Sequence, residues 1–221
     1  MSESPQILST KTLTPRQKAM VSQGNLKLLE QDFISIALLE FDIDELHDYL
    51  LITSQNAVAS ICQHPKKSAL MQKPVFCVGI KTKELLEEKG WQVLAWAHYA
   101  SELAPIITRD FPDCTISFFN GNLRSAVLPD ALSAAQMTCN EFQVYRTDLT
   151  SVQIDATLSG ICFYSPSGVH SYLQQNQIGD EVCFCIGTTT AAALEGVTKR
   201  SVLARFPTVE ATLEACVNYY K

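Results

Sequence analysis

Charged residues are scarce in this chain. Lys, Arg, Asp and Glu together make up 18% of its 221 residues, whereas 47% of the residues are hydrophobic. Disordered chains have the opposite balance, so the composition predicts a folded protein of one large domain or two small ones. Glycine and proline, nine of each, are too few for a collagen-like or low-complexity architecture. No apolar stretch approaches the ~20 residues that cross a bilayer.

Basic clusters are lacking as well. The 17 Lys and Arg residues against 23 Asp and Glu residues give a net charge of −6, and no block of basic residues is present. Nucleic acids and anionic membranes both require a basic surface, so we expect neither as a partner. The first residues show no basic patch followed by an apolar run. They do not resemble a signal peptide, and we expect a cytoplasmic protein.

Motifs for metal binding and for common catalytic machinery are also missing. The eight cysteines include no C-x-x-C pair and the four histidines are scattered, so no metal site is predicted and the thiols should stay reduced. Cys183 and Cys185 flank Phe184 in an apolar run and should point to one face of a buried strand. The chain has no G-x-S-x-G, P-loop or G-x-G-x-x-G sequence. Asp42 and Asp44 are paired acids that we interpret as solvated.

An internal repeat, by contrast, is present. Three segments recur in the same order and at similar spacing: residues 53–58 (TSQNAV) and 164–169 (YSPSGV), residues 76–82 (FCVGIKT) and 184–190 (FCIGTTT), and residues 93–95 and 202–204 (both VLA). In each copy a G-x-x-T sequence opens a helical stretch, which stops at Gly90 or at Gly196. An acidic-aliphatic helix follows each VLA segment. Such repetition predicts two similar halves.

The other segments supply further strands and helices. A short strand at residues 7–8 precedes a capping box at residues 14–17, whose helix is predicted to run to about Leu29, and residues 33–39 are β-rich. In the other half we predict four elements after a strand at residues 115–119: a turn at 120–122, a helix near 124–128, a short helix at 131–135 and a strand at 141–145. Alternating strands and helices predict parallel sheets with helices on both faces.

The repeat also predicts the domain organisation. The second copy needs the N-terminal strand–helix–strand to complete it, so we expect a discontinuous α/β domain of residues 1–39 plus 149–221. Residues 42–146 then form an inserted α/β domain. Two chain crossings, near residues 40–44 and 146–150, would join the domains and permit hinge motion about a cleft.

Hydroxyl and amide side chains collect where strands lead into helices. These junctions are residues 53–56, 79–82, 120–122, 165–168 and 187–190. Ligands bind beyond the carboxyl ends of parallel strands, and the free N–H groups of a helix start suit a carboxylate or phosphate. A single Ser or Thr at such a position usually serves only as a cap. The collection along one predicted edge, in both halves, favours an anion site.

A few ionisable residues lie beside these junctions. Lys11, Lys81, Arg124 and Arg146 are basic, although each alone is more typical of a solvated surface. Tyr145 ends a strand at the second crossing and would be a protonated donor at neutral pH. A tyrosine packed at an interface with its hydroxyl in water is an equally good interpretation of that position.

These segments resemble the uroporphyrinogen-III synthase family over essentially the whole chain. Residues 163–169 (FYSPSGV) are similar to that family's F-x-S-P-S-G-V, and residues 186–191 (IGTTTA) to its I-G-P-T-T-A. Residues 119–124 (FNGNLR), 144–147 (VYRT) and 53–58 match further family segments. Thr188 departs from the usual proline, which leaves the loop shape open. Lys11 departs from the usual arginine, which leaves one anion contact open.

The resemblance implies two α/β domains joined by a two-stranded linker. It also implies an enzyme that cyclises and dehydrates hydroxymethylbilane with inversion of its terminal ring, as a monomer without metal or organic cofactor. Tyr145 would then assist departure of the hydroxyl, and Thr82, Ser165, Thr189 and Thr190 would contact substrate carboxylates. The full set of expected substrate-binding residues is Lys11, Ser54, Asn56, Thr82, Asn120, Gly121, Asn122, Arg124, Ser165, Ser167, Gly168, Thr189 and Thr190.

Two alternatives remain open from the residues alone. One is a non-enzymatic, two-lobed cytoplasmic receptor for a small polyanion. The other is a flavodoxin-like enzyme that uses a nucleotide or phosphate, for which the expected glycine-rich loop is missing. The net charge of −6 does not exclude a polyanionic ligand, because helix-end amides supply positive potential that a count of Lys and Arg does not register.

Overall fold

A computed structural model describes residues 4–221. The strands are β1 (Gln6–Ser9), β2 (Lys27–Glu30), β3 (Ile34–Leu38), β4 (Tyr49–Ile52), β5 (Val75–Val78), β6 (Val93–Ala97), β7 (Ile116–Gly121), β8 (Cys139–Leu149), β9 (Gly160–Phe163), β10 (Val182–Cys185) and β11 (Ser201–Leu203). The helices are α1 (Pro15–Gln23), α2 (Gln55–Gln63), α3 (Lys67–Leu70), α4 (Ile80–Glu88), α5 (Ala100–Asp110), α6 (Val127–Ala134), α7 (Pro166–Leu173), α8 (Thr188–Ala192) and α9 (Val209–Tyr219).

The described chain separates into two compact units. Residues 4–35 together with Asp148–Lys221 form the discontinuous unit, and Ile36–Thr147 form the inserted unit. Strands β3 and β8 carry the chain across the two boundaries and are neighbours in one sheet. The division into residues 1–39 plus 149–221 and 42–146 as functional domains stays a prediction.

The two units share one sheet topology. The discontinuous unit has the strand order β11-β10-β9-β1-β2, with parallel pairing throughout. The inserted unit has the order β6-β5-β4-β7-β8, again parallel, followed by β3 at the edge. In the inserted unit the chain runs from β4 out to β6 and then crosses to β7 and β8. In the discontinuous unit it begins with the equivalent pair, β1 and β2, and then runs from β9 out to β11, so the two units are circular permutations of one topology. The predicted fold class, two similar parallel-sheet α/β domains with one of them discontinuous, is therefore confirmed.

Strand β3 lies antiparallel to β8. The Leu39 N–H donates to the Val144 carbonyl at 3.0 Å, and the Thr150 N–H donates to the Phe33 carbonyl at 3.0 Å. Residue numbers rise on one strand as they fall on the other, which is the antiparallel pattern. This ribbon is the two-stranded connection that the family resemblance implies.

Each sheet is covered by apolar side chains on both faces, and alternate residues of a strand enter opposite clusters. In the inserted unit, Leu50 and Ile52 pack with α2 and α4, whereas Leu51 packs with α5 and α6. In the discontinuous unit, Ile161 and Phe163 pack with α7 and α8. Cys162, between them, packs with α1 and α9. This period of two is the geometry of a strand buried on both sides.

Several predicted elements are confirmed and one helix end is wrong. Thr14 forms the predicted capping box, accepting from Gln17 N while the Gln17 side chain accepts from Thr14 N. The helix, however, ends at Gln23 and not near Leu29. Gly24 terminates it by donating to the Val21 carbonyl, and Asn25 reverses the chain with a φ of +54°. Leu28 and Leu29 then lie in strand β2.

The second error concerns residues 120–135. Asn120 and Gly121 belong to strand β7, and the turn follows them at residues 122–123, where the Arg124 N–H donates to the Gly121 carbonyl at 3.1 Å. Arg124 precedes the helix, and the two short helices predicted here are one, α6, over Val127–Ala134. Pro129 lies in the first turn of α6, where its missing N–H would have had no partner in the helix.

No helix among residues 4–221 is both long and apolar enough to span a membrane. Cys183 and Cys185 are fully buried in one cluster, as the spacing predicts, and all eight cysteines are free thiols.

Candidate functional site

Two helices of the inserted unit begin at the carboxyl edge of its sheet. Ser54 caps α2, where its Oγ accepts the Asn56 N–H at 3.1 Å. Gly79 precedes α4 with a φ of +87° and contributes no side-chain cap. One turn into α4, Thr82 is 5% exposed, and its Oγ1 faces Gly79. The start of α4 therefore has backbone N–H groups without a side-chain cap and a hydroxyl beside them, an arrangement that suits a carboxylate.

The discontinuous unit repeats this arrangement. Ser165 caps α7, where its Oγ accepts the Gly168 N–H at 3.0 Å and lies 2.9 Å from the Ser167 Oγ. Gly187 precedes α8 without a side-chain cap. Thr189 is exposed and Thr190 is buried at the start of that helix. In each unit, one helix start is thus capped by serine and the next is left open by glycine.

Tyr145 shares a face with the helix starts of the inserted unit. Its half-buried ring packs against the cluster that joins α2 and α4 to the sheet, which includes Val58, Leu86 and Phe119. Among residues 4–221, no group hydrogen-bonds its hydroxyl. Ser54, Asn56, Thr82 and Tyr145 therefore belong to one side of the sheet, which we call the α2/α4 face.

Asn120 and Arg124 lie on the opposite side, with a carboxylate that sequence reasoning missed. The Asn120 Nδ2 donates to Glu141 Oε2 at 2.6 Å, and Arg124 makes a two-point ion pair with Glu141 through Nε and, at 2.8 Å, through Nη2. Both groups are therefore bound within the protein. No sequence signal reveals this partnership, because it depends on the register of β8 beside β7.

Asn122 and Lys11 also differ in their surroundings. The Asn122 side chain bonds the backbone of Thr147 twice, accepting from its N–H at 2.8 Å and donating to its carbonyl at 3.1 Å. It thus extends the β7–β8 pairing by one step. Lys11 is exposed in the loop after β1, and its carbonyl accepts from the Ser9 hydroxyl at 2.6 Å.

Two further carboxylates serve the loop after β1. Asp32 accepts from the Thr12 N–H at 2.7 Å and from the Thr12 hydroxyl at 2.9 Å. Glu30 accepts from the Leu13 N–H at 2.6 Å and pairs with Lys18. Burial opposes the charge of Glu30, but the bonds from Lys18 and Leu13 outweigh it and hold its pKa below the ordinary value. The Thr12 and Leu13 amides of this loop are thus bound by the protein's own acids.

Three of the buried cysteines are poor nucleophiles. Burial raises the pKa of the Cys77 and Cys183 thiols to about 12 and that of Cys185 to about 11. Thiolates are the reactive form, so these side chains serve packing. Within residues 4–221, no three His, Cys, Asp or Glu side chains are grouped so that they could hold a metal ion.

A cavity of about 720 Å³ lies at the other edge of the inserted unit's sheet. Its lining includes Tyr49 at the start of β4, Pro74 just before β5 and Cys114 just before β7. These are the amino ends of the strands, away from the helix starts described above. The cavity therefore does not coincide with the candidate anion site.

Comparisons with known proteins agree on one family. A sequence model described as uroporphyrinogen-III synthase HemD matches residues 29–214. The structure of uroporphyrinogen-III synthetase from Helicobacter pylori 26695 is 18% identical, with a TM-score of 0.70 over 97% of this chain and 99% of that one. A mutant uroporphyrinogen III synthase from Thermus thermophilus is 14% identical, with a TM-score of 0.70 over 99% and 100% of the two chains. The wild-type Thermus protein in another crystal form has a TM-score of 0.51 at 14% identity, over 97% of each chain. No curated protein sequence matches the chain.

Proposed function

Since this chain belongs to the uroporphyrinogen-III synthase family, we propose that it converts hydroxymethylbilane to uroporphyrinogen III. In this reaction the linear tetrapyrrole loses its terminal hydroxyl as water, the last ring is inverted, and the macrocycle closes. Family membership favours this activity over the polyanion receptor that the residues alone left open. The observation that carries the proposal at the level of the site is the uncapped start of α4 together with Tyr145 on the α2/α4 face.

The helix starts would hold the substrate through its carboxylates. Gly79 and Gly187 leave the N–H groups at the starts of α4 and α8 without a side-chain cap, and Thr82 and Thr189 place hydroxyls beside them. Amide donors at a helix N-terminus favour an anion without a formal charge on the protein. This accounts for an acidic protein of net charge −6 that takes up a more acidic ligand.

Tyr145 would act on the leaving group. Its hydroxyl has no bonding partner within residues 4–221 and so can donate to the substrate's departing hydroxyl, which leaves as water when it takes up a proton. The remaining acceleration would come from holding a flexible chain in a folded shape, which removes entropy from the barrier.

Of the predicted substrate contacts, the proposal keeps Ser54, Asn56, Thr82, Ser165, Ser167, Gly168, Thr189 and Thr190, together with Lys11 as an exposed cation. Asn120 and Arg124 are left out, because Glu141 binds both. We further propose a cytoplasmic monomer that needs no cofactor.

The test is to identify the product isomer. Purified protein is incubated with freshly generated hydroxymethylbilane, and the uroporphyrinogen is oxidised and separated by isomer. We expect type III uroporphyrinogen at a rate far above spontaneous closure. Type I product alone, formed at the spontaneous rate, would refute the proposed function.

A further inference from the structure

The pairing of β7 with β8 shifts register beside Tyr145. Asn120 is paired with Gln143, but its neighbour Gly121 is paired with Tyr145. One residue of β8, Val144, is therefore extra, which is the definition of a β-bulge. Gly121 and Tyr145 end up opposite one another because of it.

The bulge determines which face Tyr145 occupies. Phe142 and Val144 lie on the α2/α4 face, as alternate residues of a strand should. Regular alternation would send Tyr145 to the α5/α6 face, yet it packs in the same cluster as Val144. The extra residue has thus turned the tyrosine to the side where α2 and α4 begin. Bulges commonly re-aim a side chain in this way near active sites.

Gly121 provides the space for the re-aimed ring. A methyl group built on Gly121 would fall 2.9 Å from Tyr145 Cε1 and still closer to Cε2 and Cζ. The ring therefore lies directly on the Gly121 backbone, with its hydroxyl-bearing carbon over the missing side chain. Any larger residue here would move the tyrosine hydroxyl.

Asn122 continues the pairing of β7 with β8 beyond Gly121. Its two bonds to the Thr147 backbone, at 2.8 and 3.1 Å, fasten β8 two residues beyond Tyr145. Gly121 thus supports one face of the Tyr145 ring, and Asn122 fixes the position of β8 just beyond it.

We propose that Gly121 and Asn122 are positioning residues that aim the Tyr145 hydroxyl, and that they do not contact the substrate. This inference rests on the proposed function and on the role of Tyr145 within it. It assigns Gly121 and Asn122, both expected from sequence to bind substrate, to the support of the tyrosine instead.

A double-mutant cycle tests the inference, with Gly121→Ala made in the native protein and in Tyr145→Phe. Phenylalanine keeps the ring but has no hydroxyl to misplace. We expect Tyr145→Phe to lower kcat by roughly 100-fold and Gly121→Ala to lower it by roughly 10- to 100-fold, with KM little changed. In the Tyr145→Phe background, Gly121→Ala should change kcat by less than about twofold, since the effect runs through the hydroxyl.

Asn122→Ala provides the second variant if Gly121→Ala proves too unstable to purify. It removes both bonds to Thr147 and should show the same dependence on the tyrosine hydroxyl. Gly179→Ala is the matched control, because its built methyl meets nothing closer than 3.5 Å, and its kinetics should equal those of the native protein. Thermal melting of every variant distinguishes a loss of stability from a misplaced Tyr145 hydroxyl in a folded protein.

Three outcomes overturn the inference. Equal losses of kcat with tyrosine or phenylalanine at position 145 would show that Gly121 and Asn122 act independently of the hydroxyl. A raised KM that persists in the Tyr145→Phe background would show direct substrate binding. Unchanged kcat in Tyr145→Phe would remove the role of Tyr145, yet continued formation of the type III isomer would leave the proposed function standing.

Discussion

The two units use equivalent corners of their sheets differently. The corner in question is formed by the ends of β7 and β8 in the inserted unit and by the ends of β1 and β2 in the discontinuous unit. Leu51 of the central strand β4 pairs with Phe118, and Phe118 pairs with Glu141. Three residues beyond Leu51 stands the capping Ser54. In the inserted unit, a row of paired residues on three neighbouring strands thus runs from Leu51 on β4 through Phe118 on β7 to Glu141 on β8.

An equivalent row exists in the discontinuous unit. Cys162 lies three residues before the capping Ser165 and pairs with Ser9, which pairs with Glu30. Glu30 and Glu141 are therefore equivalent, and each binds the loop that follows the neighbouring strand. This shared glutamate is a feature of the repeat that pairwise sequence similarity does not show.

The two corners diverge three residues further on. Thr12 occupies the place of Gly121, and Asp32 binds its N–H and hydroxyl. Beyond the glutamate, Phe33 is fully buried, whereas the bulge of the inserted unit brings Tyr145 out over Gly121. In the discontinuous unit this corner is filled by Asp32 and Phe33. In the inserted unit it carries the Tyr145 hydroxyl, which has no hydrogen-bond partner among residues 4–221. The comparison teaches that one copy of the repeat uses this corner for internal bonds and packing, whereas the other leaves there the hydroxyl that the proposed function uses.

The largest expected effect comes from removing the two rings. Phe33→Ala should lower the free energy of unfolding by about 3–5 kcal/mol, because a fully buried ring is lost from the core. Tyr145→Ala should cost clearly less, since that ring is half-buried and rests on a glycine. Urea unfolding of both variants provides the measurement. A larger loss for Tyr145→Ala would contradict the division of roles.

Asp32→Ala removes the carboxylate from the corner of the discontinuous unit and should have the next largest effect on stability. Thr12 loses two charge-assisted bonds, so we expect a loss of about 1–2 kcal/mol in stability with turnover retained. Thr12→Val keeps the backbone bond and loses only the hydroxyl bond, so it should cost less. If Asp32→Ala instead abolished turnover at full stability, this corner would belong to the active site.

The sequence predicts the architecture well because its signals are local or repeated. The capping box at Thr14 and the three recurring segments each depend on residues close together in the chain. Such patterns fix element types and, through the repeat, the need for residues at the N-terminus to complete the second sheet. The end of α1 was missed, because the leucines after Asn25 suit a helix or a strand equally and the neighbouring strand β1 decides between them.

The site was only partly predictable, for a different physical reason. The serine caps are local and were identified. The face on which Tyr145 lies depends on a single extra residue in β8, and the partners of Asn120 and Arg124 depend on the register of β8 against β7. A shift of one residue exchanges the two faces of a strand, and one chain's sequence carries no signal of it.

Removing the serine caps compares the two units at their matching helix starts. Ser54→Ala and Ser165→Ala each delete one bond to a backbone N–H, so each should lower stability by about 1 kcal/mol. Thermal melting should give similar shifts for the two variants. In the variants that remain folded, a raised KM would identify the helix start that also contacts the ligand.

The smallest expected effect is a change in the pH dependence of stability at Glu30. Because the folded protein holds the pKa of this carboxyl below its ordinary value of about 4.5, the unfolded chain takes up the proton more readily. The contribution of Glu30 is therefore present above that pH and is lost as the pH falls below it. Glu30→Gln should lower stability at neutral pH by about 0.5–1 kcal/mol and flatten the decline as the pH falls below about 4.5. Melting temperatures of the two proteins should thus converge in acid. Curves that stay parallel would show that Glu30 acts through its shape and not through its charge.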